Sequence, residues 1–453
     1  MLPIVTPAEM RSIDAEALES VEELIERAAG RVARAARQML GGVYGRRVSI
    51  IVGPGNNGAD ARVAGRMLEA QGVRVRVVDP GAPIPPAHLV IDGAFGTGMS
   101  RSYHPGEPPA GVPVLAVDIP SGVDGSTGEI HGSALAAQRT VTFAALKPGL
   151  LLGPGALLAG DIEVADIGLD VRRSRAWLFT EQDAVDTVPQ RAPHAHKWKH
   201  AVAVVGGSAG MSGAPRLAAA AAMRAGAGYV RCSLPGGVAP ADLDEVVYAA
   251  LPASDWSGEV LASTGRERAL VLGPGLHPDG ARDVQEVISR APADLPIVVD
   301  GTGLRLLGSQ PQLREQVVLT PHDGEFESLT GHRPEVDRFA AVRRLSAATG
   351  ATVLLKGPLT LIAAPDGRCM ACAHGDERLA TAGSGDVLSG VIAALLAHGL
   401  APLSAATLGA WVHADAGRHG PTRGLVASDL LAGVARSLSA LADARSKGSH
   451  ATD

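Results

Sequence analysis

"RVSIIVGPGNNGADA", residues 47–61, decides the fold. A β-branched run, too short for a helix, meets a Gly-Pro-Gly turn and then a helix-compatible segment. A continuous apolar strand that turns at glycine into a helix is the repeating unit of a buried parallel sheet. The pattern returns at "RALVLGPGLHPDG" (268–280) and at "HAVAVVGGSAGMSGAPRLAAAAAMRAGAG" (200–228). Further strands are expected at 73–79, 89–94, 114–120, 140–145, 296–301, 316–322 and 352–357. The fold class is therefore α/β. The Gly-Pro-Gly turn is too short to count as an internal repeat.

A chain of 453 residues is long for one domain. The charged, proline-containing stretch "ADIGLDVRRSRAWLFTEQDAVDTVPQRAPHAHKWKH" (165–200) reads as a break. We expect a domain over 1–172 with about five strands, a linker over 173–199 with room for a short covering element, and a domain over 200–441 with eight or more. The polar tail 442–453, "ADARSKGSHATD", is expected to be disordered.

The formal net charge is −6 and aromatics make up 3% of the chain. Neither suits a nucleic-acid or anionic-membrane surface. Arg172–Arg173 and Lys197–Lys199 read as solvated charges. Three cysteines, Cys232, Cys369 and Cys372, cannot form a disulfide framework. "CMAC" (369–372) reads as a strand, because no second Cys/His pair lies near it. The first residues carry no basic-then-apolar leader, and no 18-residue apolar run is uninterrupted. A soluble cytoplasmic protein is expected.

Three strand ends in the N-terminal half carry polar groups. "GPGNNGAD" (53–60), "IDGAFGTGMS" (91–100) and "VDIPSGVDGSTG" (117–128) gather asparagines, aspartates and a serine where open α/β sheets bind ligands. The asparagines and Asp60 also suit plain turn and helix capping. Asn57, Asp92 and Ser121 could hold a hard cation through oxygen, which leaves Asp118 as an acid/base.

These three motifs, in this order and spacing, resemble the YjeF N-terminal domain, an NAD(P)H-hydrate epimerase with a Rossmann-like three-layer fold. Ala59 and Ala61 stand where that family usually has glycine. The resemblance implies that Asn56, Asn57, Gly58, Ala59 and Asp60, with Gly96, Thr97, Gly98, Met99, Ser100, Arg101 and Ser102, line the hydrate pocket. It implies K+ at Asn57, Asp92 and Ser121, and Asp118 on the substrate as acid/base.

The C-terminal half carries "KGPLT" (356–360) and "TAGSGDVLSG" (381–390). A lysine-glycine strand end and a glycine-rich helix start together suit a nucleotide's phosphates. With "TPHDGE" (320–325), they resemble the ribokinase-like superfamily and, within it, the YjeF C-terminal domain, an ADP-dependent NAD(P)H-hydrate dehydratase. Asp323 stands where that family usually has proline. By resemblance, Lys356, Gly357, Pro358, Leu359, Thr360 and Gly385 contact ADP. Ala214, Gly275, His322 and Asp386 face the hydrate, Glu325 helps orient Mg2+, and Asp386 is the base.

The implied activity is bifunctional repair of NADHX and NADPHX: epimerisation, then ADP-driven dehydration of the S form. The partners are small molecules, with no nucleic acid and no membrane, and a homo-oligomer is expected. The alternative is a ribokinase-like small-molecule kinase with a non-catalytic N-terminal ligand-binding module.

Overall fold

The computed structural model describes residues 1–99, 101–190, 194, 196–237 and 245–450, without the side chains of 449 and 450. Ser100 thus lies outside the described residues. The chain divides at Trp177/Leu178 into two units, the second of which also takes Met1.

The N-terminal unit holds β1 (Leu2–Ile4), β2 (Arg47–Val52), β3 (Arg74–Val78), β4 (Leu89–Gly93), β5 (Val114–Val117), β6 (Arg139–Phe143) and β7 (Asp161–Ala165). β2–β7 form a parallel sheet in the order β3-β2-β4-β5-β6-β7. β4 and β5 are buried along their whole length, so their sequences run apolar rather than alternating. Alternate residues still part to two cores. Ile50 and Ile91 pack with the helices Val21–Leu40 and Asn56–Glu69, whereas Ile51 and Val90 pack with Tyr103 and Leu135. The second face is covered chiefly by irregular segments rather than by long helices. The sheet order reverses between β2 and β4, which opens a crevice at their carboxyl ends.

In the C-terminal unit come β9 (Ala201–Val205), β10 (Tyr229–Pro235), β11 (Val246–Leu251), β12 (Ala269–Leu272), β13 (Ile297–Val299), β14 (Val317–Leu319), β15 (Thr352–Leu355), β16 (Thr360–Ala363) and β17 (Cys369–Cys372); β8 (Ala176–Leu178) spans the boundary. The order is β11-β10-β9-β12-β13-β14-β15-β16-β17, and in this run β16 is the reversed strand, antiparallel to β15 and to β17. The reversal lies between β9 and β12. "CMAC" is indeed a buried strand, with free thiols that burial pushes up to about 12 at Cys369 and about 11 at Cys372. The helix Ser384–Ala397 is buried from Val387 to its end. It packs on Gly213–Arg224, and Gly390 is the contact: a Cβ there would lie 2.0 Å from the Ala218 carbonyl.

Two expectations are corrected. The segment 173–199 is not bare linker: it contains the short strand β8 and the helix Glu181–Thr187, whose start is a Thr180–Asp183 capping box. Of the charges that suggest a linker, Glu181 and Asp183 are helix-start residues. The tail is helical as far as it is described, in Asp429–His450. Buried Leu441 anchors this helix, and Arg445 donates to the Val188 carbonyl. Polar composition alone does not prevent a helix whose one apolar stripe finds a partner.

Candidate active sites

The N-terminal crevice is a cavity of about 860 Å3 at the ends of β2, β4 and β5. Glycines bring its walls together. A Cβ on Gly53 would sit 1.6 Å from the Ala94 carbonyl, and one on Gly58 would sit 2.0 Å from the Gly53 carbonyl. The helix Asn56–Glu69 begins at Gly55, which has no side chain to cap it. First-turn amides near Asn56 and Asn57 are left for a polar ligand. Asn56, Asn57, Asp60, Gly96, Thr97, Gly98, Met99, Arg101, Ser102 and Asp118 line this one cavity. Gly58 and Ala59 are not on its wall. Ala61 is fully buried, and its methyl group occupies the space that Gly93 leaves open: a Cβ on Gly93 would lie 2.3 Å from it.

Asp118 follows β5 with φ 64°, a left-handed conformation that costs a non-glycine residue energy. Its carboxylate accepts from Lys147 Nζ at 2.5 Å and from Thr142 Oγ1 at 3.0 Å. The Lys147 side chain is only 1% exposed. It also donates to Thr142 Oγ1 at 2.9 Å and the Phe143 carbonyl at 3.0 Å, so its three N–H bonds are all used. Sequence reasoning missed Lys147; the available signal is a lone lysine closing the apolar run "VTFAALK" (141–147). Asp14 was missed too. It faces Lys147 and Asp118, and its carboxyl is raised, first by burial.

Asp92 and Ser121 sit behind the cavity wall, fully buried. Asp92 accepts from the Ser121 amide at 2.9 Å and the Ala94 amide at 3.4 Å, and no cation partners it among the described residues. Burial raises its carboxyl. Asn57 is drawn close, since a Cβ on Gly96 would lie 3.5 Å from Asn57 Cβ; the Asn57 amide nitrogen is buried without a partner. A buried carboxylate that lacks a counter-charge fits a monovalent cation, which would take the oxygen, not the nitrogen, of the Asn57 side chain.

In the C-terminal unit the polar groups converge at the ends of β13, β14 and β15 and at the start of Ser384–Ala397. Lys356 Nζ lies 3.0 Å from Asp300 Oδ1 and 3.4 Å from Glu325 Oε2. Asp300 also accepts from Ser389 Oγ at 2.5 Å and Thr320 Oγ1 at 2.8 Å. Burial opposes its charge, but Lys356 and these hydroxyls hold its carboxyl below the usual range. Burial likewise opposes the Lys356 ammonium, and Asp300 and Glu325 outweigh it, so its pKa is raised. A Cβ on Gly385 would lie 3.3 Å from Lys356 Nζ, which places the ammonium against the glycine-rich turn. Burial, then Asp300, push Asp386 up to about 7. Asp300 was missed, although an acid ending the apolar strand "PIVVDG" (296–301) matches Asp92 and Asp118.

His322 caps the helix Asp323–Thr330: its Nδ1 accepts from the amides of Gly324 at 3.0 Å and Glu325 at 3.2 Å, which leaves Nε2 3.5 Å from Glu325 Oε1. Asp323 pairs with Arg338 at 2.8 and 3.1 Å, and Arg338 also donates to the Lys356 carbonyl at 3.2 Å. The residue that departs from the usual proline thus ties two site loops together. Gly275 and Ala214 are neighbours, since a Cβ on Gly275 would lie 3.5 Å from Ala214 Cβ. Gly357 and Pro358 are exposed, Leu359 is buried, and Thr360 opens β16. Glu325 is buried and within reach of Lys356. No group of three His, Cys, Asp or Glu residues is placed to hold a metal among the described residues. Buried Glu325 is a carboxylate of the kind Mg2+ takes beside waters and phosphates.

Comparison with known proteins finds a match for each unit. The family described as NAD(P)H-hydrate dehydratase matches residues 202–436, and the YjeF-related protein N-terminus matches 21–83 and 78–149. The bifunctional NAD(P)H-hydrate repair enzyme of Mycobacterium tuberculosis is 38% identical over 86% of this chain and 88% of its own. That of Moorella thermoacetica is 34% identical over 94% and 95%. The ADP/ATP-dependent NAD(P)H-hydrate dehydratase of Bacillus subtilis, co-crystallised with ATP/Mg2+, superposes with a TM-score of 0.51 at 28% identity, covering 58% of this chain and 98% of that one. A ribokinase-like protein of Enterococcus faecalis, 21% identical with a TM-score of 0.53 over 59% and 97%, shares the fold. With both halves matched in order along one polypeptide, the chain belongs to the family of bifunctional NAD(P)H-hydrate repair enzymes.

Proposed function

We propose that the N-terminal unit interconverts the R and S hydrates of NADH and NADPH, and that the C-terminal unit dehydrates the S form at the expense of ADP. The observation that carries this reading is a pair of aspartates, one per unit, at the carboxyl edge of a parallel sheet: Asp118 paired with buried Lys147 at 2.5 Å, and Asp386 raised by burial and by Asp300, the partner of Lys356.

The hydrate bears a hydroxyl at C6, next to an electron-rich ring nitrogen that can expel it. In the first site Asp118 is the acid/base on that hydroxyl, worth about 10²–10⁴-fold for a positioned group. Asn57, Asp92 and Ser121 would hold K+, which would supply the charge that buried Asp92 lacks. In the second site Asp386 takes the C6 hydroxyl proton as that oxygen attacks the terminal phosphorus of ADP, whose bond to the bridging oxygen breaks and releases AMP. The amides of Gly383–Gly385 and Lys356 face the phosphates. Glu325 would hold Mg2+ with the nucleotide, to neutralise phosphate charge. The ester formed leaves as phosphate when the ring nitrogen pushes, and the dihydronicotinamide is restored. Buried, unpaired cysteines suit the reducing cytoplasm.

The test uses S hydrate with ADP or ATP and follows dihydronicotinamide absorbance. Recovery of that absorbance with release of phosphate is expected, faster with ADP. A stable phosphorylated product would favour a plain kinase instead.

A further inference from the structure

Besides Asp118, the wall of the N-terminal cavity carries a buried carboxyl group, that of Asp60. Asp60 lies on the second turn of Asn56–Glu69, is 7% exposed, and faces the same cavity as Asp118. No described amide, hydroxyl or cation contacts its carboxyl group. Its surroundings differ from those of Asp118 in the way that separates an acid from a base. Asp118 is in a 2.5 Å ion pair with buried Lys147. Asp60 has burial and the nearby Asp118 charge against it, which together push it up to about 8. The other ionisable groups on the cavity wall are Arg11, Asp14 and Glu19 from the N-terminal segment, and Arg101 and Tyr103 from the loop after β4. Arg11, Asp14 and Arg101 are exposed, so none of these supplies a buried counter-charge for Asp60.

We propose that Asp60 is a second catalytic residue of the epimerase site: as the neutral acid it protonates the leaving C6 hydroxyl, while Asp118, salt-bridged to Lys147, receives the proton of the water that returns. This rests on the epimerase reading above. The step balances within the substrate and the two side chains. The Asp60 proton goes to the hydroxyl oxygen, the C6–O bond breaks, and the ring-nitrogen lone pair forms C6=N, releasing water. Water then adds to C6, its lost proton goes to Asp118, and the π pair returns to nitrogen. Asp118 ends protonated and Asp60 ionised, which is the state that runs the exchange backwards. Two carboxyl groups from two different elements, the helix after β2 and the end of β5, also give one ring two approaches. A single carboxylate gives only one, and inversion at C6 requires departure from one face and return to the other.

The test is Asp60→Asn in the full chain, with R-enriched hydrate and no nucleotide, so that dehydration stays off. Epimer exchange should fall about 10²-fold or more with KM little changed. The wild-type decline in rate as pH rises past about 8 should disappear from the residual activity. A second readout needs no activity. Because folding raises the Asp60 pKa, the neutral form favours the native state, and the stability it lends is lost as pH rises from the ordinary carboxyl range to about 8. The Asp60→Asn protein should therefore gain in Tm relative to wild type between about pH 5 and about pH 9. A Tm difference that stays flat with pH, or a variant that exchanges epimers at the wild-type rate with its alkaline decline intact, overturns the assignment to Asp60 alone. A wild-type protein that exchanges no epimers overturns the epimerase reading itself.

Discussion

Asp386 is chemically useful because of where its neighbours put its proton. Burial and Asp300 raise it to about 7, so near neutrality it changes between acid and base. A base must be deprotonated, so kcat/KM for dehydration should rise with pH through about 7. Asp386→Asn should lower the rate about 10²–10⁴-fold with the hydrate still bound, as single-turnover kinetics will measure. Lys147 poses a residue-scale question of the opposite kind. Its ammonium is buried with Asp118, Thr142 and Phe143 as its partners. Removing one member of a buried pair leaves the other charge uncompensated, typically at about 3–5 kcal/mol. Lys147→Met should cost about that much in urea unfolding; a cost under about 1 kcal/mol would mean that water replaces the ammonium.

At the scale of elements, glycine decides which helices can reach the sites. Gly58 and Gly53 bring the helix Asn56–Glu69 onto the end of β2, and Gly390 brings Ser384–Ala397 onto Ala218. Gly390→Ala should cost about 1–3 kcal/mol by overpacking, visible as a lower Tm with the Asp386 chemistry intact at low temperature. Ala59 tells the converse story. It replaces a usual glycine, yet it lies inside the helix and off the cavity wall. Ala59→Gly should leave epimer exchange unchanged and cost about 0.5–1 kcal/mol in helix propensity. A gain in exchange rate would show that the methyl group restricts the site after all.

Across the whole molecule, the two sites answer pH in opposite senses. In the proposed roles Asp60 must keep its proton, which it loses above about 8, and Asp386 must give its proton up, at about 7. Repair of a mixed-epimer hydrate with ADP should therefore peak between those values. The activities should also separate by mutation. Asp118→Asn should halt fast repair of an R/S mixture once the S form is consumed, while pure S hydrate is dehydrated at the wild-type rate. If Asp118→Asn also slows S dehydration, the division of labour is wrong.

The sequence by itself determined whatever depends on neighbours along the chain. A β-branched run before Gly-Pro-Gly makes a buried strand and a turn, and GSGD before an apolar run makes an uncapped helix start. These local patterns carry the α/β class, most strands and the motif resemblance. They fail where one local pattern has two tertiary outcomes. Thr180–Asp183 resembles linker charge until its helix is seen, and Asp429–His450 is polar but anchored by Leu441. Only the tertiary structure decided which distant charges meet. Lys147 is 29 residues from Asp118, and Lys356 is 56 from Asp300. The sheet order, which places β2 beside β4 and β13 beside β14, is what brings such strand ends to one crevice. Charge pairing and burial act through space, so the raised carboxyls of Asp60 and Asp386 were set by the fold, through groups no local motif contains.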